Sequence, residues 1–202
     1  SEMCIRDRYQ SEFKKPAFTI YVLDYSGSMD ANDGYEQMNE AMNQVLVPEN
    51  ARANLLLGTK KDTTYVIPFS EGVLGVLESE GNADELENLF TELSENYKTQ
   101  SATFMYEAID EAINILNANK DKLKDYSPAI VVLTDGKANG RMGFDELSDS
   151  YARLDYDVPI FGILFGDAVE DDLEEIATMS KARVFDGRSD MIKAFQNVKG
   201  YN

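Results

Sequence analysis

Two uninterrupted apolar runs, each ending at an aspartate, constrain the fold of this chain more than any other feature. Residues 19–23 have the sequence TIYVL and precede Asp24, and residues 129–134 have the sequence AIVVLT and precede Asp135. Their β-branched and aromatic side chains favour strands. A run without polar alternation is typical of a strand buried on both faces. The chain is therefore predicted to contain a mostly parallel sheet covered by helices on both faces.

The rest of the chain alternates between helical and strand patterns. The spacing of apolar residues predicts helices over residues 35–47, 49–57, 83–93, 101–116, 144–154, 170–179 and 189–198, and strands over residues 63–69, 73–77, 158–165 and 183–185. The connection of three residues between the strands at 63–69 and 73–77 predicts an antiparallel hairpin. The other strands are separated by helices, which predicts parallel pairs with right-handed crossovers.

Composition excludes several classes of function. The net charge of −18 argues against nucleic acid and anionic membrane surfaces as partners, because both are polyanions. The chain has no histidine and a single cysteine, Cys4. A Cys/His zinc site, a Ser-His-Asp triad and a Cys-His pair are therefore all excluded. Any chemistry must come from carboxylates, hydroxyls, lysines or arginines.

The sequence indicates one domain preceded by a short leader. Residues 1–15 have mixed charge and no periodicity, and they are interpreted as a disordered or non-native leader. Residues 16–202 show no internal linker or repeat and have a length typical of one α/β domain. No apolar run approaches the ~20 residues of a membrane-spanning helix.

The segment after the first apolar run carries three oxygen-bearing side chains at alternate positions. Asp24, Ser26 and Ser28 are separated by Tyr25 and Gly27, a pattern that predicts a tight loop at the carboxyl end of a strand. Oxygen side chains that converge in this way can bind a hard cation. A solvated turn is the alternative, because Asp, Ser and Gly are also common turn residues.

The motif at Asp24 resembles the metal-ion-dependent adhesion site of the von Willebrand factor type A family, which has the form D-x-S-x-S, then a Thr, then an Asp. Asp24, Ser26 and Ser28 match its first part, Thr103 falls in the expected loop, and Asp135 matches its last part. This resemblance implies that the three hydroxyls contact the ion, whereas the two aspartates often act through water. The chain departs from the family pattern around Thr103, where Ser101-Ala102 precede the threonine and Phe104 follows it.

The resemblance also implies a fold and a function. The expected fold is a three-layer, doubly wound α/β domain with a six-stranded sheet in the order 3-2-1-4-5-6 and one antiparallel edge strand. In such sheets ligands bind where the strand order reverses, between the first and fourth strands. Oxygen-only ligands favour Mg²⁺, with Mn²⁺ tolerated. The expected function is a non-catalytic module whose ion binds a Glu or Asp of a partner protein.

Residues on the neighbouring loops are candidates for a rim that touches this partner: Tyr25, Lys137, Asn139 and Arg141. Two other functions stay open. One is a scaffold with a vestigial metal site, suggested by the unusual loop at Thr103. The other is a metal-dependent phosphate-ester hydrolase, although the chain lacks a second aspartate two positions after Asp24 and has no G-x-x-x-x-G-K-[ST] loop. The composition favours an extracytoplasmic or cell-surface setting within a longer bacterial protein, with the cytoplasm as the alternative.

Overall fold

The two apolar runs form neighbouring strands at the centre of the sheet. The structure is a computed structural model that describes residues 15–98, 101–135, 137–166 and 171–201. Residues 1–14 of the predicted leader lie outside the described residues. Strands β1 (Ala17–Asp24) and β4 (Ser127–Thr134) pair in parallel, with Leu23 opposite Leu133. This register brings the ends of both strands to the same edge of the sheet.

Four more strands complete a sheet in the order β3-β2-β1-β4-β5-β6. They are β2 (Thr63–Phe69), β3 (Leu77–Ser79), β5 (Ile160–Leu164) and β6 (Val184–Asp186). Only the pairing of β2 with the edge strand β3 is antiparallel. The structure thus confirms the predicted strand order and the predicted antiparallel edge.

Helices cover both faces of the sheet. They are α1 (Gly34–Leu46), α2 (Pro48–Ala53), α3 (Ala83–Asn96), α4 (Met105–Ala118), α5 (Phe144–Ala152), α6 (Asp171–Met179) and α7 (Met191–Tyr201). The buried residues of α4, α5 and α6 join one core cluster, and those of α1, α2, α3 and α7 join the other. The result is the predicted three-layer arrangement, with one hydrophobic core on each side of the sheet.

The hairpin between β2 and β3 differs from its prediction. The edge strand covers Leu77–Ser79 instead of residues 73–77, so the connection is longer than three residues. Val66 pairs with Leu77, and only an isolated bridge joins Phe69 to Val73. The backbone near Ser70 is used elsewhere, because the Ser70 carbonyl accepts a hydrogen bond from the amide of Phe104. The connection therefore packs against the loop that carries Thr103 instead of extending the hairpin.

A glycine closes the turn between β3 and α3. Gly81 has a φ of +75°, and a Cβ at this position would lie 2.7 Å from the Asp62 carbonyl oxygen and 2.9 Å from that of Thr59. We expect Gly81→Ala to lower the free energy of unfolding by about 2 kcal/mol, because both the clash and the left-handed backbone disfavour a side chain. Urea denaturation measures this change.

Gly200→Ala provides the control for this prediction. Gly200 lies in α7, and a Cβ there meets nothing within 4 Å. The alanine should leave stability unchanged or raise it by up to about 1 kcal/mol. Equal effects of the two substitutions would contradict the proposed clash at Gly81.

Among the described residues, no helix is both long and apolar enough to span a membrane.

Candidate metal centre

The candidate site lies at the carboxyl ends of β1 and β4. Asp24 is the last residue of β1, and Asp135 follows directly after β4. The sheet order reverses here, because the chain leaves β2 and β3 on one side of β1 and places β4, β5 and β6 on the other. Connections therefore diverge from this point and leave a crevice. Both carboxylates are buried, with 0% of Asp24 and 8% of Asp135 exposed.

Hydrogen bonds fix the orientation of the Asp24 carboxylate. Its Oδ1 accepts from the amide of Ser26 at 2.7 Å, and its Oδ2 accepts from the hydroxyl of Thr134. Burial raises the pKa of Asp24 from 3.8 to about 6, although the hydrogen bonds from Thr134 and Ser26 oppose this shift and Asp135 adds to it. A cation beside Asp24 would stabilise its charged form.

Two serine hydroxyls link the loop after Asp24 to Asp135. A short 3₁₀ helix (Gly27–Asp33) follows the Asp24 loop and turns the chain across the crevice. The Oγ atoms of Ser26 and Ser28 lie 3.0 Å apart, and Ser28 Oγ donates to Asp135 Oδ1 at 2.8 Å. The structure therefore brings together four of the five predicted metal ligands, from two segments far apart in the sequence.

Thr103, the fifth predicted ligand, lies in the loop before α4. Its amide donates to Asn139 Oδ1 at 2.8 Å, and its carbonyl accepts from the Asn139 amide at 3.0 Å. Asn139 lies on the loop that begins at Asp135, so Thr103 is tied to the segment that carries the other carboxylate. Within the described chain, the Thr103 hydroxyl makes no hydrogen bond, although only 4% of the residue is exposed. This hydroxyl is available to a ligand.

The spacing of the Ser26, Ser28 and Asp135 oxygens fits a small divalent ion. Octahedral Mg²⁺ has bonds of 2.0–2.1 Å, which places adjacent ligand oxygens roughly 3 Å apart. The two contacts that join Ser26, Ser28 and Asp135 measure 3.0 and 2.8 Å. Within the described residues, no three side chains of Asp, Glu, His or Cys form a cluster that could hold a metal. The oxygen atoms available at this edge of the sheet come from two carboxylates and from hydroxyl groups.

The predicted rim is only partly exposed. Lys137, Asn139 and Arg141 are exposed on the loop between β4 and α5. The predicted place of Tyr25 on the rim is wrong, because none of its surface is exposed and it cannot touch a partner in this conformation. Its ring packs in the core against Tyr35 and Tyr97, at centroid distances of 5.6 and 6.1 Å. Tyr25 extends the alternation of β1, so its side chain enters the core beneath the site.

Sequence reasoning missed two residues that shape the site. Thr134 donates a hydrogen bond to Asp24, and the feature of the sequence that could have indicated this role is a polar residue at the end of an apolar strand. Gly166 follows β5 with a φ of +52°, and a Cβ there would lie 3.2 Å from the Cβ of Asp135. A glycine at this position lets the β5 loop approach the second carboxylate closely.

Solved structures show the same fold. A von Willebrand factor type A protein from Catenulispora acidiphila matches with a TM-score of 0.69 and 16% identity over 91% of this chain and 42% of that one. The pilus adhesin SpaC from Lactobacillus rhamnosus GG matches with a TM-score of 0.66 and 15% identity over 94% of this chain and 31% of that one.

A third match is proximal thread matrix protein 1 from the mussel byssus, in a structure with a zinc-occupied MIDAS motif. It has a TM-score of 0.65 and 20% identity over 92% of this chain and 47% of that one. The chain therefore spans less than half the length of each of these three proteins. A comparison with curated protein sequences gave no match.

A family model settles the relationship and confirms the resemblance seen in the sequence. The model of the von Willebrand factor type A domain matches residues 20–198, which include all five predicted ligands. The chain therefore belongs to the von Willebrand factor type A domain family.

Proposed function

We propose that this domain is a metal-dependent protein-binding module for adhesion or assembly. Asp24, Ser26, Ser28, Thr103 and Asp135 would hold one divalent cation, and the cation would bind a Glu or Asp side chain of a partner protein. The observation that carries the proposal is the continuous chain of oxygen atoms from Ser26 through Ser28 to Asp135, with O–O distances of 3.0 and 2.8 Å. Those distances suit neighbouring ligands of one small ion.

The charge of the site supports an acidic group as the partner's contact. Two carboxylates neutralise a divalent ion, whereas cages with three or four carboxylates leave it with excess negative charge. The bound ion would supply Lewis acidity toward one further oxygen ligand. Lys137 and Arg141 are exposed nearby, and neither forms a salt bridge with another described residue. Their charges favour an approaching carboxylate on a protein whose net charge is −18.

The ligand chemistry favours Mg²⁺, with Mn²⁺ as a substitute. All five side chains offer oxygen, and the chain has no histidine and only one cysteine for a softer metal. The mussel protein holds zinc in its MIDAS motif, but that occupancy belongs to a chain only 20% identical. We propose Mg²⁺ as the resident ion here.

The proposed role is non-catalytic and belongs to a domain of a longer protein. The three matched proteins named above are longer than this chain and include a pilus adhesin. A bacterial cell-surface or extracytoplasmic setting agrees with that similarity and with the acidic composition. The partner is proposed to be another protein or domain.

Water relaxation on the Mn²⁺ complex tests the proposed function, with acetate as the probe for a partner carboxylate. Mn²⁺ bound with an open position exchanges water and enhances water-proton relaxation. We expect acetate to lower this enhancement saturably without releasing Mn²⁺, because it replaces a coordinated water. Chloride at equal ionic strength is the control, since it matches the screening. Tight Mn²⁺ binding with no response to acetate would support a vestigial site instead, and the absence of Mn²⁺ binding would refute the proposal.

A further inference from the structure

Asn139 forms two hydrogen bonds with the backbone of Thr103. The side-chain Oδ1 of Asn139 accepts from the Thr103 amide at 2.8 Å, while the Asn139 amide donates to the Thr103 carbonyl at 3.0 Å. One residue thus satisfies both backbone groups of Thr103. Such a pair fixes the position and the orientation of the threonine backbone, and hence the point from which its side chain projects.

A second contact joins the same two segments one turn further along α4. Glu107 Oε1 accepts from the amides of Arg141 and Met142 at 2.6 and 2.9 Å. Gly140 allows this approach, because a Cβ at that position would overlap Glu107 Oε2. Residues 139–142 are therefore held against residues 103–107 by hydrogen bonds at both ends.

The opposite side of the Thr103 loop is held as well. Ser70 Oγ donates to the carbonyl of Ala102 at 2.8 Å, and the Phe104 amide donates to the Ser70 carbonyl at 2.8 Å. Thr103 therefore lies between two fixed neighbours, Ser70 on the β2 side and Asn139 on the β4 side. Of these two, Asn139 bonds Thr103 itself and lies on the loop that begins at Asp135.

We infer that Asn139 is a positioning residue for the metal centre, and not a contact for the partner as its exposed position suggested. It holds Thr103 so that the threonine hydroxyl and Asp135 face the same ion. This inference rests on the proposed function. It assigns Asn139 an effect on the metal that passes through Thr103 alone.

A set of four variants tests the inference. Asn139→Ala removes the acceptor for the Thr103 amide, Asn139→Asp keeps it, and Thr103→Val removes the hydroxyl. Asn117→Ala is the control, since Asn117 is exposed near the end of α4 and far along the chain from the site. Calorimetry measures Mn²⁺ affinity, and water-proton relaxation counts the waters on the ion. Hydrogen exchange of the Thr103 amide reports whether its bond to position 139 is intact.

We expect Asn139→Ala to weaken Mn²⁺ binding about tenfold and to add one water to the ion. Thr103→Val should do the same, and the double variant Asn139→Ala/Thr103→Val should be no weaker than Thr103→Val alone. Asn139→Asp should keep the Thr103 amide protected from hydrogen exchange and should keep the number of waters on the ion seen with the original protein. A merely structural role for Asn139 would lower the unfolding temperature without changing the number of waters.

Two results would overturn the inference while leaving the proposed function intact. One is Mn²⁺ affinity and hydration in Asn139→Ala equal to those of the original protein. The other is a further tenfold loss when Asn139→Ala is added to Thr103→Val. A different result, no Mn²⁺ binding by the original protein, would refute the proposed function and this inference with it.

Discussion

Replacing Asp24 with asparagine should abolish the stabilisation of this domain by Mg²⁺. At a Mg²⁺ concentration 100 times the dissociation constant, the original domain should gain about 2.7 kcal/mol of unfolding free energy. The Asp24→Asn domain should gain almost nothing at that concentration, because loss of this carboxylate lowers the affinity for Mg²⁺ on the order of 100-fold. Urea denaturation with Mg²⁺ and with EDTA measures both values.

The asparagine keeps the shape of the aspartate, so the variant should fold. Its side-chain oxygen can still accept from the Ser26 amide, and the Thr134 hydroxyl can accept from its amide group. Asp157→Asn is the matched control, since Asp157 is an exposed carboxylate paired with Lys181 at 2.9 Å. Full Mg²⁺ stabilisation of Asp24→Asn would show that the ion binds elsewhere.

The second prediction concerns the pH dependence of stability without metal. Desolvation by burial raises the pKa of Asp24 from 3.8 to about 6, so the folded state keeps this proton to a higher pH than the unfolded state. Ionised Asp24 therefore destabilises the fold. This cost is absent below pH 4, grows between pH 4 and 6, and reaches roughly 3 kcal/mol above pH 6.

The prediction is measured as the difference between Asp24→Asn and the original domain in EDTA. Carboxylates far from Asp24 contribute nearly equally to both proteins and cancel in the difference. Asp24→Asn should gain stability relative to the original domain as the pH rises from 4 to 7, and Mg²⁺ at 100 times the dissociation constant should narrow the gap at pH 7 by about 2.7 kcal/mol. A gap that is constant from pH 4 to 7 would contradict the burial of an uncompensated charge at Asp24.

The central sheet could be predicted because its strands carry their signal locally. Residues 19–23 and 129–134 are apolar enough to indicate burial on both faces, and β1 and β4 are found there. The edge strand β3 was misplaced, since Ser70 bonds to the distant Thr103 loop and no local pattern reports that contact. Non-local hydrogen bonds override turn chemistry at this point.

The candidate site shows the same limit. Spacing alone indicated that Asp24, Ser26 and Ser28 share a loop, and the resemblance added Thr103 and Asp135. The hydrogen bond from Thr134 to Asp24 depends on the register of β1 against β4, which a single sequence does not report. The role of Asn139 likewise depends on the approach of two loops, and the burial of Tyr25 depends on the direction of a side chain beyond the end of a strand.

The oxygen chain across the crevice links parts of the protein that are synthesised far apart. Ser28 and Asp135 are 107 residues apart, and Thr134 and Asp24 are 110 apart. Contacts of such long range slow folding, because closing the long intervening loop costs entropy. Until β4 docks beside β1, Asp135 is missing from the site, so tight cation binding would require a domain whose central strands are already paired.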